Sequence, residues 1–174
     1  MEEILALIEQ IIREHKVIIR RFQTLDRVAN DAEAMIGFEK AKEAFMPGRF
    51  GQKQGLQKMQ ELLDIIDQGL QAHFNREEKT LLPAVKERGE KEFVSALSTL
   101  FLEHGNLRSR IAHSKKNINE LAGGRLARHL WEASAHDMRT YISHSRNLLE
   151  KHAHREQEVF ATMRDQLRTE TKRE

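Results

Sequence analysis

Apolar residues recur along the first part of the chain at alternating steps of four and three. The stripe consists of Ile4, Ile8, Ile11, His15, Ile18, Phe22 and Leu25. This spacing is typical of a helix face that packs against the core of a bundle. It predicts a first helix from about residue 2 to at least residue 28. The end of this helix is left open, because residues 30–45 remain compatible with a helix and only Gly37 favours a break.

Three further stripes of the same kind follow. A proline and three glycines within residues 46–55 predict the connection to the second helix. The second stripe consists of Met59, Leu63, Ile66, Leu70, His73, Glu77 and Leu81, and its helix closes near Arg88 and Gly89. The third stripe consists of Phe93, Leu97, Leu100, His104, Leu107, Ile111, Ser114, Ile118 and Leu121, and it ends at residues 122–124. The fourth helix, from roughly 125 to 168, carries Trp131, Met138, Tyr141, Leu148, His152, Glu156, Val159 and Met163.

Four long amphipathic helices with mostly short connections predict an all-α fold, an up-down-up-down antiparallel four-helix bundle. We expect a single domain over residues 1–168, followed by a frayed tail over residues 169–174. The composition agrees with this prediction, since 32% of the residues are charged and only 6% are aromatic.

Charge and cysteine content narrow the classes of function. The chain has 29 Lys and Arg against 27 Asp and Glu, mixed along its length, so we expect no nucleic-acid partner. The absence of cysteine excludes disulfides, thiolate-held zinc, iron–sulfur clusters and a cysteine nucleophile. No apolar run approaches the roughly 18 residues that span a bilayer, and the first residues lack the positive region of a secretory signal. We therefore expect a soluble, cytoplasmic protein without a membrane partner.

Polar residues interrupt the four apolar stripes at matching places. They are His15, His73, Glu77, His104, His152 and Glu156. Within each helix that carries two of them, the histidine and the glutamate are four residues apart and therefore share one helix face. A rise of about 1.5 Å per residue places all six at a similar depth in an antiparallel bundle. The sequence therefore predicts a polar layer across the core.

The two halves of the chain repeat this pattern. The dipeptide Glu-His at residues 14–15 recurs at 103–104, and the motif His-x-x-x-Glu at 73–77 recurs at 152–156. The chain thus predicts two pseudo-symmetric helical hairpins, each of which supplies one lone histidine and one His/Glu pair. Such symmetry suits two metal ions.

Each of these positions also has an ordinary structural interpretation. A lone histidine on an apolar face is commonly a hydrogen-bonded core residue, and a His/Glu pair is commonly a local salt bridge. Together, however, the six groups carry a heavy cost, because isolated buried charge costs several kcal/mol or more. A pair of divalent metal ions would offset that cost.

The donor count favours an open site. If each glutamate bridges and each metal takes two histidines, every ion receives four protein donors. This leaves room for a bridging oxo or hydroxo species and for an exchangeable ligand. Imidazole and carboxylate donors favour two iron ions (Fe²⁺/Fe³⁺), with manganese or zinc as substitutes.

These residues resemble the hemerythrin-like HHE cation-binding domains, a family of non-heme diiron four-helix bundles. The resemblance extends from His15 to Glu156 and is most specific in residues 73–78 (HFNREE) and 81–83 (LLP). It implies terminal iron ligands and bridging carboxylates. The implied ligands are His15, His73, His104 and His152, and the implied bridges are Glu77 and Glu156.

The chain departs from the oxygen carriers of that family at two places. Those proteins have a second histidine where this chain has Arg108, and a His-x-x-x-x-Asp motif where it has His152 and Glu156. The pattern is more similar to the iron-sensing and iron-centre-repair members. We expect a diiron protein that binds or reacts with dioxygen, peroxide or nitric oxide. The alternatives are an iron sensor or donor, and a metal-free helical interaction module whose polar layer serves specificity.

Several other residues are expected to lie outside the site. Glu14, Glu78 and Glu103 could orient the ligands, but a solvated helix face is the preferred interpretation. His144 is a candidate for an access role at most. Pro83 should kink or end the second helix, because it lacks a backbone donor.

Overall fold

The structure is a computed structural model that describes residues 2–39, 50–123 and 126–171. Regular structure in these ranges is entirely helical, which confirms the predicted all-α class. The helices are α1 (Glu2–Glu39), α2 (Phe50–Arg76), α3 (Leu82–Glu87), α4 (Lys91–Ala122) and α5 (Arg128–Thr171). A π-helical segment, Glu77–Leu81, joins α2 to α3 and is called the π segment below. None of the helices in the described ranges combines the length and the apolar character that a membrane crossing requires.

Some helix ends differ from the prediction. Helix α1 passes through Gly37 without a break, and α2 begins at Phe50. The predicted connection over residues 46–55 is therefore wrong for 50–55, while 46–49 lie outside the described residues. The helix extends into this region because a glycine costs a helix only about 1 kcal/mol. The burial of Leu56 and Met59 on the same helix offsets that cost. Helix α5 continues to Thr171, beyond the predicted end at 168, and residues 172–174 lie outside the described part.

The four long helices form a closed ring of contacts. Helix α1 packs against α2 and α5, and α4 packs against the same two helices. Their apolar faces form two clusters of buried residues. The large cluster includes Ile18, Phe22, Leu63, Leu70, Phe74, Leu107, Ile111, Met138 and Leu149. The small cluster consists of Ile4, Ile8, Ile11, Leu81, Val85, Leu97, Phe160, Met163 and Leu167.

The predicted stripes of the first three helices lie in the core, with Phe93 only partly buried. On α5 the prediction is wrong by one residue at three apolar pairs, 141–142, 148–149 and 159–160, where the second member is the buried one. The core therefore takes Ile142, Leu149 and Phe160 in place of Tyr141, Leu148 and Val159. Periodicity alone does not decide between two adjacent apolar residues.

Pro83 changes the register of the helix instead of ending it. Because proline has no N–H, the Lys79 carbonyl lacks its usual donor four residues later. The chain adopts the π segment, in which the Leu82 N–H bonds to the Glu77 carbonyl, and then continues as α3. Gly89, with φ of 78°, follows the end of α3 in the left-handed conformation that glycine favours. The predicted end near Arg88 and Gly89 is thus confirmed.

Candidate metal centre

The six polar residues predicted from the stripes lie together between the two apolar clusters, and we call them the polar layer. Helix α1 supplies His15, and α2 with the π segment supplies His73 and Glu77. Helix α4 supplies His104, and α5 supplies His152 and Glu156. Each of the six is at most 1% exposed. Local π geometry is frequent at functional sites, and here it begins at Glu77, a residue of the polar layer.

The imidazoles face one another in two pairs. In the first pair, Nε2 of His15 lies 2.8 Å from Nε2 of His73. In the second pair, Nε2 of His104 lies 3.2 Å from Nε2 of His152. All four rings therefore present the same nitrogen to the centre of the bundle.

The two carboxylates lie between the histidine pairs. Oε1 of Glu77 is 2.9 Å from Nε2 of His73, and its Oε2 is 3.3 Å from Nε2 of His104. Oε2 of Glu156 is 3.1 Å from Nε2 of His15 and 3.7 Å from Nε2 of His152. Each glutamate thus reaches one histidine of each pair.

These atoms form two groups that could hold a metal ion. One group contains His15, His73, Glu77 and Glu156, and the other contains Glu77, His104 and His152. Within each group the ligand atoms lie within 4.8 Å of one another. Glu77 belongs to both groups, which is the arrangement that a bridging carboxylate requires.

Three carboxylates outside the polar layer hold the outer nitrogens of three histidines. The Nδ1–H groups donate across helices to these outer carboxylates, His73 to Glu14 at 3.1 Å, His104 to Glu78 at 2.7 Å and His152 to Glu103 at 3.0 Å. The expectation that these glutamates lie on a solvated face is therefore wrong. Their side chains are partly buried because each reaches over to a ring on another element.

An arginine pairs with each outer carboxylate. Arg76 lies 3.0 Å from Glu14. The corresponding distances are 3.0 Å between Arg108 and Glu78, and 2.7 Å between Arg155 and Glu103. Sequence reasoning missed these arginines. The available signal was their position, three or four residues after a histidine of the polar layer.

The hydrogen bonds determine which ring nitrogen carries the proton. Burial works to raise the pKa of Glu78, but hydrogen bonds from Arg108 and His104 outweigh it and lower that pKa. An ionised carboxylate only accepts, so His104 and His152 carry their protons on Nδ1. Their Nε2 atoms then hold lone pairs that face each other at 3.2 Å. This contact is repulsive unless a cation lies beside it.

Burial also keeps three of the imidazoles uncharged. It lowers the pKa of His15 and of His152, and it lowers the pKa of His104 to about 4. These rings are therefore neutral near pH 7, the form in which histidine binds metals. Burial, followed by the charge of Glu156, raises the pKa of Glu77 well above its ordinary value. The cost of ionising Glu77 in this site is large.

The carboxylate oxygens of the polar layer lack well-aligned hydrogen bonds. In the described residues no donor reaches either oxygen of Glu77 or of Glu156 with good geometry, although Nε2 of His15 lies 3.1 Å from Oε2 of Glu156. Nε2 of His73 lies 2.9 Å from Oε1 of Glu77, but the hydrogen bond of His73 to a carboxylate is the one that its Nδ1 makes to Glu14. Buried polar groups are nearly always satisfied, so these four oxygens fit the coordination of a metal ion. Imidazole nitrogens and carboxylate oxygens are together a donor set that suits iron.

The remaining histidines do not join the site. His144 and His154 are exposed, and His154 pairs with Glu158 at 3.5 Å. His113 is also exposed and packs against Tyr141, with ring centroids 4.7 Å apart.

Fold and site together define a helical bundle with a buried histidine–carboxylate centre. Residues 6–163 match the family model of the hemerythrin HHE cation binding domain. The chain belongs to this family, and the resemblance stated from its motifs is confirmed. No curated protein and no solved structure gives a match to the chain.

Proposed function

We propose that the protein is a non-heme diiron protein that binds or reacts with a small oxidant, dioxygen, peroxide or nitric oxide. The observation that carries this proposal is the second histidine pair. His104 and His152 direct lone pairs at each other at 3.2 Å, beside the buried carboxylate of Glu77, which accepts no well-aligned hydrogen bond in the described part of the chain. Two cations would convert these unfavourable contacts into coordination bonds.

The donors divide evenly between two ions in this proposal. One ion would be held by His15 and His73, and the other by His104 and His152. The carboxylates of Glu77 and Glu156 each reach one histidine of either pair and would be shared by the two ions, which would give each ion four protein donors. Iron suits this donor set best, and manganese or zinc would bind the same atoms.

Burial of the polar layer supports a small ligand. Each ligand side chain is at most 1% exposed, so a bulky substrate would have to open the bundle to reach it. When bound, an iron pair supplies redox chemistry and open coordination positions. The chain itself contributes the orientation of the rings through the outer carboxylates, and it excludes water through the apolar clusters on either side.

The core also supports the predicted topology. The large cluster joins the later part of α1 to α2, and the later part of α4 to the earlier part of α5, while the small cluster joins the start of α1 to Leu81 and Val85, which follow α2. We infer the up-down-up-down antiparallel bundle from this, with residues 1–168 as one domain. A cytoplasmic location and the absence of a nucleic-acid partner stay predictions.

Metal analysis after anaerobic reconstitution tests the diiron assignment. We expect about two iron ions per chain, because the site offers two sets of ligands. The variants His73→Ala and Glu77→Ala should lose iron, whereas His154→Ala, at an exposed histidine, should retain it. A wild-type content below about one ion per chain would overturn the proposal and favour a metal-free interaction module.

Reactivity is tested separately on the reduced, iron-loaded protein. We expect its absorption spectrum to change on mixing with at least one of dioxygen, peroxide and nitric oxide. Protein loaded with zinc, which has no redox chemistry, is the control for peroxide and dioxygen. An iron-loaded protein that responds to none of the three would contradict oxidant chemistry and leave an iron sensor or donor.

A further inference from the structure

The four histidines of the polar layer are not supported alike. His73, His104 and His152 each donate Nδ1–H to an outer carboxylate. Nδ1 of His15 is buried and has no hydrogen-bond partner in the described part of the chain. The first pair therefore contains one supported ring, and the second pair contains two.

The internal repeat shows which residues differ. Glu78, which supports His104, directly follows the bridging Glu77. The residue in the same place after Glu156 is Gln157, which is partly buried and carries no charge. The chain thus lacks a carboxylate where the repeat would place one for His15.

The arginine that belongs to this carboxylate is missing as well. Arg108 lies four residues after His104 and pairs with Glu78 at 3.0 Å. Four residues after His15 the chain has Ile19, a partly buried residue that packs on the large cluster. The chain thus lacks both the carboxylate and its arginine on the side of His15. No arginine is left there without its carboxylate partner.

Ring packing adds to the difference. The ring of Phe74 stacks on His104 with centroids 3.9 Å apart, and the ring of Phe101 stacks on it at 4.8 Å. Among the described residues, the ring of His15 makes edge contacts and no stacked one, at 4.4 Å to His73 and 6.5 Å to His152. His104 is thus fixed by stacked rings and by a hydrogen bond on its outer nitrogen, whereas His15 has neither of these among the described residues.

A carboxylate on the outer nitrogen fixes the tautomer and the direction of a histidine and raises its basicity as a ligand, and losing it typically weakens metal binding ten- to a hundredfold. We infer that the two metal positions are inequivalent, and that the ion on His15 and His73 is held more weakly and leaves first. The replacement of the outer carboxylate by Gln157 sets this order. The inference rests on the proposed two-ion site.

Iron release from the loaded protein tests it. Protein reconstituted anaerobically with Fe²⁺ is mixed with an excess of a coloured Fe²⁺ chelator, and the absorbance is followed with time. We expect two phases of equal amplitude with rates that differ about tenfold or more. Glu78→Gln should accelerate the slow phase so that the phases merge, and Gln157→Glu should slow the fast phase.

Matched controls separate these effects from a change of charge. Glu158→Gln and Gln68→Glu make the same two exchanges at exposed positions and should leave both rates unchanged. Since Glu78 and Gln157 are partly exposed, the bundle should tolerate the test variants. Far-ultraviolet circular dichroism verifies that each one is folded.

The outcomes distinguish this inference from the function on which it rests. Release of less than about one iron per chain in total would overturn the diiron proposal itself. Release of two ions at a single rate, with full loading, would overturn only the inequivalence. Two phases that Glu78→Gln leaves unchanged would also overturn it, because the order of release would then have another cause.

Discussion

The polar layer and the apolar clusters on either side of it belong to one bundle but are stabilised differently. A side chain such as Leu97 gains free energy simply by leaving water and needs no particular partner. Glu77 loses its hydration on the same kind of burial, and no donor in the described ranges gives it a well-aligned hydrogen bond in return. The clusters can therefore hold the fold on their own, whereas the layer depends on a ligand.

Metal removal should produce the largest effect, since it acts on the layer alone. An ion present at a thousand times its Kd stabilises the folded state by about 4 kcal/mol. We expect the iron-loaded protein to melt well above the same protein in chelator, as measured by circular dichroism. His73→Ala should show no response to chelator. Equal melting temperatures with and without iron would contradict the argument that the polar layer, unlike the apolar clusters, depends on a bound ligand.

Truncation within a cluster should have the next largest effect and should leave iron binding intact. Leu97→Ala removes a fully buried side chain of the small cluster, which should cost about 2–5 kcal/mol in the free energy of unfolding. Leu102→Ala is the matched control, because Leu102 lies on the same helix and is 80% exposed, so its change should stay within about 0.5 kcal/mol. Denaturant unfolding of the apoproteins measures both. If the folded Leu97→Ala protein lost its iron, the apolar clusters would contribute to metal binding as well as to stability, and the comparison would fail.

The sequence predicted the residues of the polar layer better than it predicted which apolar residues of α5 lie in the core. The positions of His15, Glu77 and the other layer residues follow from helical periodicity, which is strong where a stripe runs through long helices. The burial of Phe160 in place of Val159 was missed, because two adjacent apolar residues lie almost equally close to a core face. Packing against the neighbouring helices decides between them.

Helical periodicity could not predict the contacts of the outer carboxylates, for a different reason. Glu14 and Glu103 directly precede a histidine, which places them beside the inward face and not on it. Their partners, His73 and His152, lie on other helices. Such contacts depend on the crossing of two helices and on side-chain rotamers, and neither can be read from spacing within one helix.

The smallest effect tests the layer without any metal, and its sign should be opposite to that of Leu97→Ala. Glu77→Gln replaces a buried carboxyl group, whose raised pKa reflects the cost of ionising it in this site, by a neutral amide of the same shape that carries no such cost. We expect the apoprotein to gain on the order of 1 kcal/mol in the free energy of unfolding, while iron binding is lost. Glu87→Gln, at an exposed position of α3, should change neither quantity. A Glu77→Gln apoprotein less stable than the wild type would show that the layer supports the fold as the clusters do.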